Sequence, residues 1–315
     1  MSESVSNMKP RITFFLACSL LAFKLFGAAT AGPLDDGEAA YGRGDYAAAM
    51  RLLRLPAANG SADAQRDIGL MYGQGQGVQQ DFAQALIWFR KAAGQGDALA
   101  QYFLGVLYRD GNGVPQDKPQ ALAWYRKSAD QGNALAQFDI GSMYRNGEGL
   151  PKDAAQSTAW YRKAADQGYA FAQSNLGLMY GQGEGVPKDD ALAMIWFRKA
   201  ANQGEPVALF NLGLAYDKGD GVPQDFAQAA VWYRKAADKG NVFAQINLGS
   251  IYTRGEGVPK DYVLAYMWAD LAASRAQDDE TREVAAKNRD NLVQGMSPEQ
   301  IAAARRMARG WKPAN

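Results

Sequence analysis

Six tryptophans, Trp88, Trp124, Trp160, Trp196, Trp232 and Trp268, stand 36 residues apart. A fixed period of that length is the signature of a repeat array, in which one small motif buries its apolar face only against its neighbours. Three more columns share the period. Gly69, Gly105, Gly141, Gly177, Gly213 and Gly249 form the first, and Tyr72, Tyr108, Tyr144, Tyr180, Tyr216 and Tyr252 the second. Asp81, Asp117, Asp153, Asp189, Asp225 and Asp261 form the third. The period therefore divides residues 61–276 into six repeats: 61–96, 97–132, 133–168, 169–204, 205–240 and 241–276.

Each repeat reads as a helical hairpin. In repeat four, Ala172, Leu176 and Tyr180 recur at helical spacing and predict a first helix with one apolar stripe. Gly181, Gly183 and Gly185 stop it. Asp189 then opens a second helix, because its carboxylate accepts backbone N–H groups that lack intrahelical partners. In four repeats a glutamine follows three residues later (Gln84, Gln120, Gln156 and Gln228), the spacing of a capping box. Gly204 closes the second helix. With a loop inside 36 residues, neither helix is expected to exceed about 15 residues.

The connecting stretch GEGVPKD, at Gly183–Asp189 and again at Gly255–Asp261, has the composition of a phosphate loop but not its pattern. Phosphate cradles need G-x-x-x-x-G-K-S/T running into a helix, or G-x-G-x-x-G after a strand. This stretch follows a helix and recurs as GQGVQQD, GNGVPQD, GEGLPKD and GDGVPQD. It is a turn.

The pattern A-x-x-x-LG-x-x-Y-x-x-G-x-GV-P-x-D-x-x-x-A-x-x-W-x-x-KAA-x-x-G resembles the Sel1-like repeat, a relative of the tetratricopeptide repeat, and the resemblance covers 61–276. It implies an all-α, right-handed superhelical solenoid of antiparallel helix pairs, about seven in number. Upstream, residues 32–60 keep the phase, with Asp45 at the capping position and Leu52 at the tryptophan position, and resemble a shorter N-terminal capping hairpin. Downstream, 277–315 reads as a C-terminal cap of two helices, Asp278–Leu292 and Pro298–Arg309, the second opened by a Ser297/Gln300 capping box. Repeat six departs from the pattern, with Leu271 for the recurring lysine and Ala276 for the closing glycine. The missing glycine predicts that the last helix runs on into the cap.

Composition excludes several chemistries. There is no histidine, and the one cysteine is Cys18. Imidazole or thiolate sites for zinc, iron or copper therefore have no ligands, and neither Ser-His nor Cys-His catalysis can be assembled. No cofactor is expected. Residues 1–31 have the layout of a cleavable signal peptide: Lys9 and Arg11, the apolar run Ile12–Phe23, then Ala29-Thr30-Ala31. The expected location is periplasmic or secreted, with an uncleaved membrane anchor as the alternative. Leu16-Ala17-Cys18 faintly resembles a lipoprotein processing site. Without Lys9, Arg11, Lys24 and Glu3 the chain has 31 basic and 32 acidic residues, which is not the basic footprint of a nucleic-acid binder.

Columns constant in every repeat serve stacking, so binding is sought where repeats differ. The tetratricopeptide resemblance implies that positions 3, 6, 7, 10, 13 and 14 of each repeat approach a concave face. Position 7 holds Asn175, Asn211 and Asn247 in repeats four to six. A carboxamide offers both a donor and an acceptor, which suits a peptide backbone of any sequence. The same asparagines equally suit bonds between neighbouring helices. Apolar residues at positions 3 and 6, Tyr102, Phe138 and Phe210 among them, form either an aromatic groove or inter-repeat core. Arg109, Arg145 and Arg254 mark the ends of first helices, facing an acidic partner or a solvated rim. The expected function is a non-enzymatic scaffold or adaptor that binds a protein or peptide. The alternative is a cell-wall hydrolase or β-lactam-binding protein, but the one S-x-x-K arrangement, Ser6–Lys9, lies in the leader.

Overall fold

The computed structural model describes residues 32–314; the leader, with Cys18 and Ser6–Lys9, lies outside them. Among the described residues there are sixteen helices and no strands. The capping hairpin is α1 (Pro33–Gly42) and α2 (Tyr46–Ala58). The first and second helices of repeats one to three are α3 (Ala62–Gln74) and α4 (Phe82–Gly94), α5 (Ala98–Asp110) and α6 (Lys118–Asp130), α7 (Ala134–Asn146) and α8 (Ala154–Asp166). Repeats four to six follow as α9 (Ala170–Gln182) and α10 (Asp190–Ala201), α11 (Pro206–Lys218) and α12 (Phe226–Asp238), α13 (Val242–Arg254) and α14 (Tyr262–Arg275). The cap is α15 (Asp279–Val293) and α16 (Pro298–Gly310). The chain divides between Asp153 and Ala154 into two compact units, with α1–α7 in the first and α8–α16 in the second.

Local signals set the helix ends. The carboxylates of Asp81, Asp117, Asp189, Asp225 and Asp261 each accept a backbone N–H from the first turn of the following helix. The return bond expected from Gln84, Gln120 and Gln228 is not made, so those aspartates cap alone. The reciprocal box does form at Ser297, whose N–H donates to Gln300 Oε1 at 2.8 Å. First helices end on Gly75, Gly111, Gly147, Gly183, Gly219 and Gly255, in the left-handed region that favours glycine. The second glycine of the turn has another task. A Cβ on Gly113 would lie 2.5 Å from the Phe82 carbonyl carbon, and one on Gly221 would lie 2.7 Å from the Asp190 carbonyl oxygen. Each turn thus rests on the start of the preceding repeat's second helix, and GEGVPKD is a stacking surface as well as a helix stop.

Within a hairpin, the constant glycine of the first helix receives an aromatic ring from the second. A Cβ on Gly69 would meet Phe89 at 2.7 Å, on Gly105 Tyr125 at 2.5 Å, on Gly177 Phe197 at 2.7 Å and on Gly213 Tyr233 at 2.5 Å. The capping hairpin repeats the arrangement with an aliphatic residue, Leu53 against Gly37 at 2.7 Å. The tryptophans pack beside this core. A lysine three residues on lies over the indole in repeats one to five, at 3.9 to 4.2 Å from the ring centroid. Repeat six has Leu271 there, and Arg234 of the preceding repeat takes the place over the buried Trp268.

At the C-terminal end α14 does not run on into the cap, contrary to the expectation from Ala276. It ends at Arg275, Ala276 is extended, and Asp278 caps α15 by accepting from Thr281 N at 2.8 Å. The aspartate cap two residues later stops the helix without a glycine. Trp311 then packs edge-on against Trp268, with Arg275 over its ring.

Candidate binding face

Two inter-repeat ladders account for polar residues that the tryptophan, glycine, tyrosine and aspartate columns leave out. Buried glutamines Gln65, Gln101, Gln137, Gln173 and Gln245 each donate from Nε2 to a carbonyl in the last turn of the preceding second helix: Ala57, Ala93, Ala129, Ala165 and Ala237. Each carbonyl also accepts the backbone N–H of the glycine three residues on, at 2.9 to 3.2 Å, so the glutamine adds a second bond at the helix end and joins two repeats through it. Gln95, Gln131 and Gln203 then donate to the Oε1 of Gln65, Gln101 and Gln173. In repeat five the pair is replaced at both places, by Leu209 and Lys239. The second ladder runs from an arginine on a second helix to the tyrosine column of the next repeat: Arg90 to Tyr108, Arg126 to Tyr144, Arg198 to Tyr216 and Arg234 to Tyr252. Both ladders obey the 36-residue period and were legible in the sequence, although polar residues are not the usual place to look for a core.

The aromatic candidates belong to the core. Tyr102, Phe138 and Phe210 are 1, 3 and 6% exposed. Tyr102 packs on Tyr125 of its own hairpin, and Phe210 on Tyr233 and on Phe243 of the next repeat. The groove reading is therefore corrected to inter-repeat core: stacking brings position 6 against the ring on the second helix and hides both from water.

Position 7 faces the ring of the preceding repeat's second helix. Phe103 stacks on Phe89 at 5.2 Å between centroids. Asn247 hydrogen-bonds Tyr233, whose hydroxyl also donates to Asp217 at 3.1 Å. Asp139 is buried beside Tyr102 and Tyr125, and burial raises its pKa against the opposing pull of Arg109. Asn175 and Asn211 donate from Nδ2 to the carbonyls of Phe171 and Val207, both at 2.8 Å. Asn211 is buried, whereas Asn175 and Asn247 are half-buried. The structure thus separates the three asparagines that the sequence groups together.

The arginines differ in the same way. Arg109 lies between Asp110 at 2.7 Å and the buried Asp139 at 3.4 Å; burial works against its charge, but these neighbours outweigh it and hold the guanidinium protonated. Arg145 is half-buried and interacts with its surroundings. Arg254 is exposed and pairs with Glu256 at 2.5 Å. A further buried cluster was not anticipated. Arg66 bonds Asp67 at 2.9 Å, Asp63 at 2.6 Å and Asp97 at 3.1 Å. Burial lifts Asp67 to about 6 even so.

No group of three or more His, Cys, Asp or Glu side chains among the described residues is placed to hold a metal ion. Nor is any described helix long and apolar enough to cross a membrane. Half-exposed polar side chains are instead aligned on the first helices, as with Asn247, Ser250 and Arg254 along one face of α13.

Comparison with known proteins agrees with this architecture. The family model described as Sel1 repeat matches six times, at 62–97, 98–133, 134–169, 170–205, 206–241 and 242–276. The crystal structure of a Sel1 repeat protein from Oxalobacter formigenes is 34% identical, covers 79% of this chain and 98% of its own, and superposes with a TM-score of 0.71. A protective antigen of uropathogenic Escherichia coli strains is 30% identical over 89% of this chain and 76% of its own, with a TM-score of 0.40. No curated protein matches. Sel1 repeats typically mediate protein–protein interaction. Six matched repeats across 62–276, on a stacked all-α repeat fold, establish that the chain belongs to the Sel1 repeat family.

Proposed function

We propose that this chain is an exported, non-enzymatic scaffold that binds a protein or peptide along the first helices of repeats four to six. The observation that carries the reading is how the repeats use their residues. Recurring aromatic, glutamine and arginine columns are spent on stacking, while on first helices Asn175, Asn247 and Ser250 stay partly exposed and Arg254 is exposed. Asn247 and Arg254 lie seven residues apart on α13, with Ser250 between them. An extended peptide lying across these helices would meet carboxamides able to pair with its backbone and a guanidinium for an acidic side chain. Export rests on the leader; mass spectrometry of the native protein is expected to find Gly32 at the N-terminus, and an intact leader would mean an anchored scaffold instead.

Panning a random linear peptide library against the full chain tests the binding reading. Enriched peptides are expected to lose at least tenfold in affinity for the Asn175→Ala/Asn247→Ala/Arg254→Ala variant, with its melting curve unchanged. Failure to enrich any peptide, or equal affinity for both proteins, would overturn it.

A further inference from the structure

Repeat six lacks the ring that fills the hairpins of repeats one, two, four and five. The column Phe89, Tyr125, Tyr161, Phe197 and Tyr233 ends at Ala269, yet the facing Gly249 is retained. The atoms nearest to a Cβ on Gly249 would be the Ala265 carbonyl oxygen at 3.2 Å, Trp268 Cβ at 3.7 Å and Ala269 N at 3.8 Å, none of them in a ring. Glycine and alanine now line an open pocket of about 360 Å³ between α13, α14 and α15. For scale, an engineered cavity of roughly 150 Å³ in another protein accepts benzene.

The walls carry their own instructions. Ser250 and Thr253 donate their hydroxyl hydrogens to the carbonyls of Ile246 and Gly249, at 3.1 and 2.8 Å, which leaves their oxygens as acceptors. Across the pocket, α15 supplies Asn288 and Asn291. Ala285 and Leu292 of α15 are buried and seven residues apart, as Ala244 and Ile251 are on α13. Setting these pairs in register puts Asn288 at the place of Asn247. In the complete hairpin before it, Tyr233 stands on Gly213 and hydrogen-bonds Asn247. Repeat six keeps the glycine floor and the asparagine wall and omits the tyrosine between them.

From this geometry we infer that the pocket accepts a tyrosine side chain of a bound peptide, its ring on Gly249 and Ala269 and its hydroxyl toward Asn288. The inference rests on the peptide-binding reading above and gives that partner one required residue. Ser250 and Arg254 line both the pocket and the binding face of α13, so a peptide on that face passes the pocket mouth. Asn291, exposed at the rim, is placed to pair with the peptide backbone beside the anchor.

The probe is N-acetyl-L-tyrosinamide, titrated into the full chain and followed by amide NMR, with the phenylalanine and alanine analogues and p-cresol as controls. Saturable shifts are expected at Gly249, Ser250, Ala269 and Gly295, stronger with tyrosine than phenylalanine and absent with alanine. Ala269→Phe restores the ring of the other repeats and is expected to weaken binding at least tenfold. Gly295→Leu provides a second block at the mouth, because Gly295 has ordinary backbone geometry and a Cβ there meets Tyr262 at an unstrained 3.7 Å. Asn288→Ala is expected to erase the preference for tyrosine over phenylalanine. No saturable shift, shifts unchanged by both blocking variants, or p-cresol binding more tightly than the tyrosine amide would each overturn the assignment. Panned peptides that bind without a tyrosine, and whose affinity survives Ala269→Phe, would refute the pocket and leave the scaffold reading standing. Tyrosine amide binding here when no peptide can be enriched would do the reverse.

Discussion

Replacing Gly105 by alanine isolates the contact that sets the spacing within a hairpin. The new Cβ would lie 2.5 Å from two ring carbons of Tyr125, a side chain with no exposed surface into which the ring could swing. Overpacking of a close-packed core costs about 1–3 kcal/mol, and a rigid buried ring places this site toward the upper end. Alanine also favours the helix over glycine by up to about 1 kcal/mol, which would mask part of that cost. Gly94→Ala supplies the reference. It is the last residue of α4, with ordinary backbone geometry and nothing within 4 Å of its prospective Cβ, so it shows a helical gain without a clash, smaller than the gain in the helix interior. The difference between the two variants is then a lower bound on the steric contribution of about 1–3 kcal/mol. Gly249→Ala completes the series. Its nearest atom is at 3.2 Å and no ring opposes it, so its cost falls well below that of Gly105→Ala. Urea denaturation followed by circular dichroism measures all three. Equal stabilities for Gly105→Ala and Gly94→Ala, or an equal loss at Gly105 and Gly249, would refute the ring-on-glycine account.

The glutamine ladder predicts a coupling between distant sequence positions. Gln101→Leu removes one of the donors to the Ala93 carbonyl, which keeps the Gly96 N–H at 3.1 Å, and is expected to cost about 0.5–1.5 kcal/mol. Combined with Gln131→Lys, which recreates the Leu209/Lys239 pair of repeat five, it is expected to cost less than the sum of the single changes, by at least about 0.5 kcal/mol in a double-mutant cycle. Asp67 makes stability depend on pH. Its folded pKa of about 6 lies above the ordinary 3.8, so between these values the folded state binds the extra proton and this site destabilises the fold as pH rises. From pH 7 to pH 4, wild type is therefore expected to gain about 2–3 kcal/mol relative to Asp67→Asn, read from paired denaturation curves.

The architecture was legible because stacking imposes one chemistry on every repeat. A column such as Gly105 with Tyr125, or Asp117 at a helix start, recurs at a fixed interval and identifies itself. The candidate binding face was not legible in the same way, because exposure depends on how closely adjacent hairpins approach. Tyr102, Phe138 and Phe210 have the residue types of a groove and became core, while Asn175 and Asn211 share a position and differ in accessibility. The end of α14 misled for a local reason: the absent glycine was visible, but the stop comes from Asp278 two residues beyond Ala276. The pocket in repeat six was open to inspection as Ala269 at the end of an aromatic column. Its meaning needed α15, which lies outside the period and forms the far wall.

The central claim is that partners meet the first helices of the later repeats. Site-specific photo-crosslinking in living cells, with benzoylphenylalanine at position 247 on α13 or at position 231 on α12, tests it most directly. Val231 is exposed on a second helix and Asn247 is half-buried on a first helix, so the two probes sample different faces of adjacent hairpins. A discrete adduct from position 247 and none from position 231 is the predicted result; an adduct from position 231 alone would contradict the account.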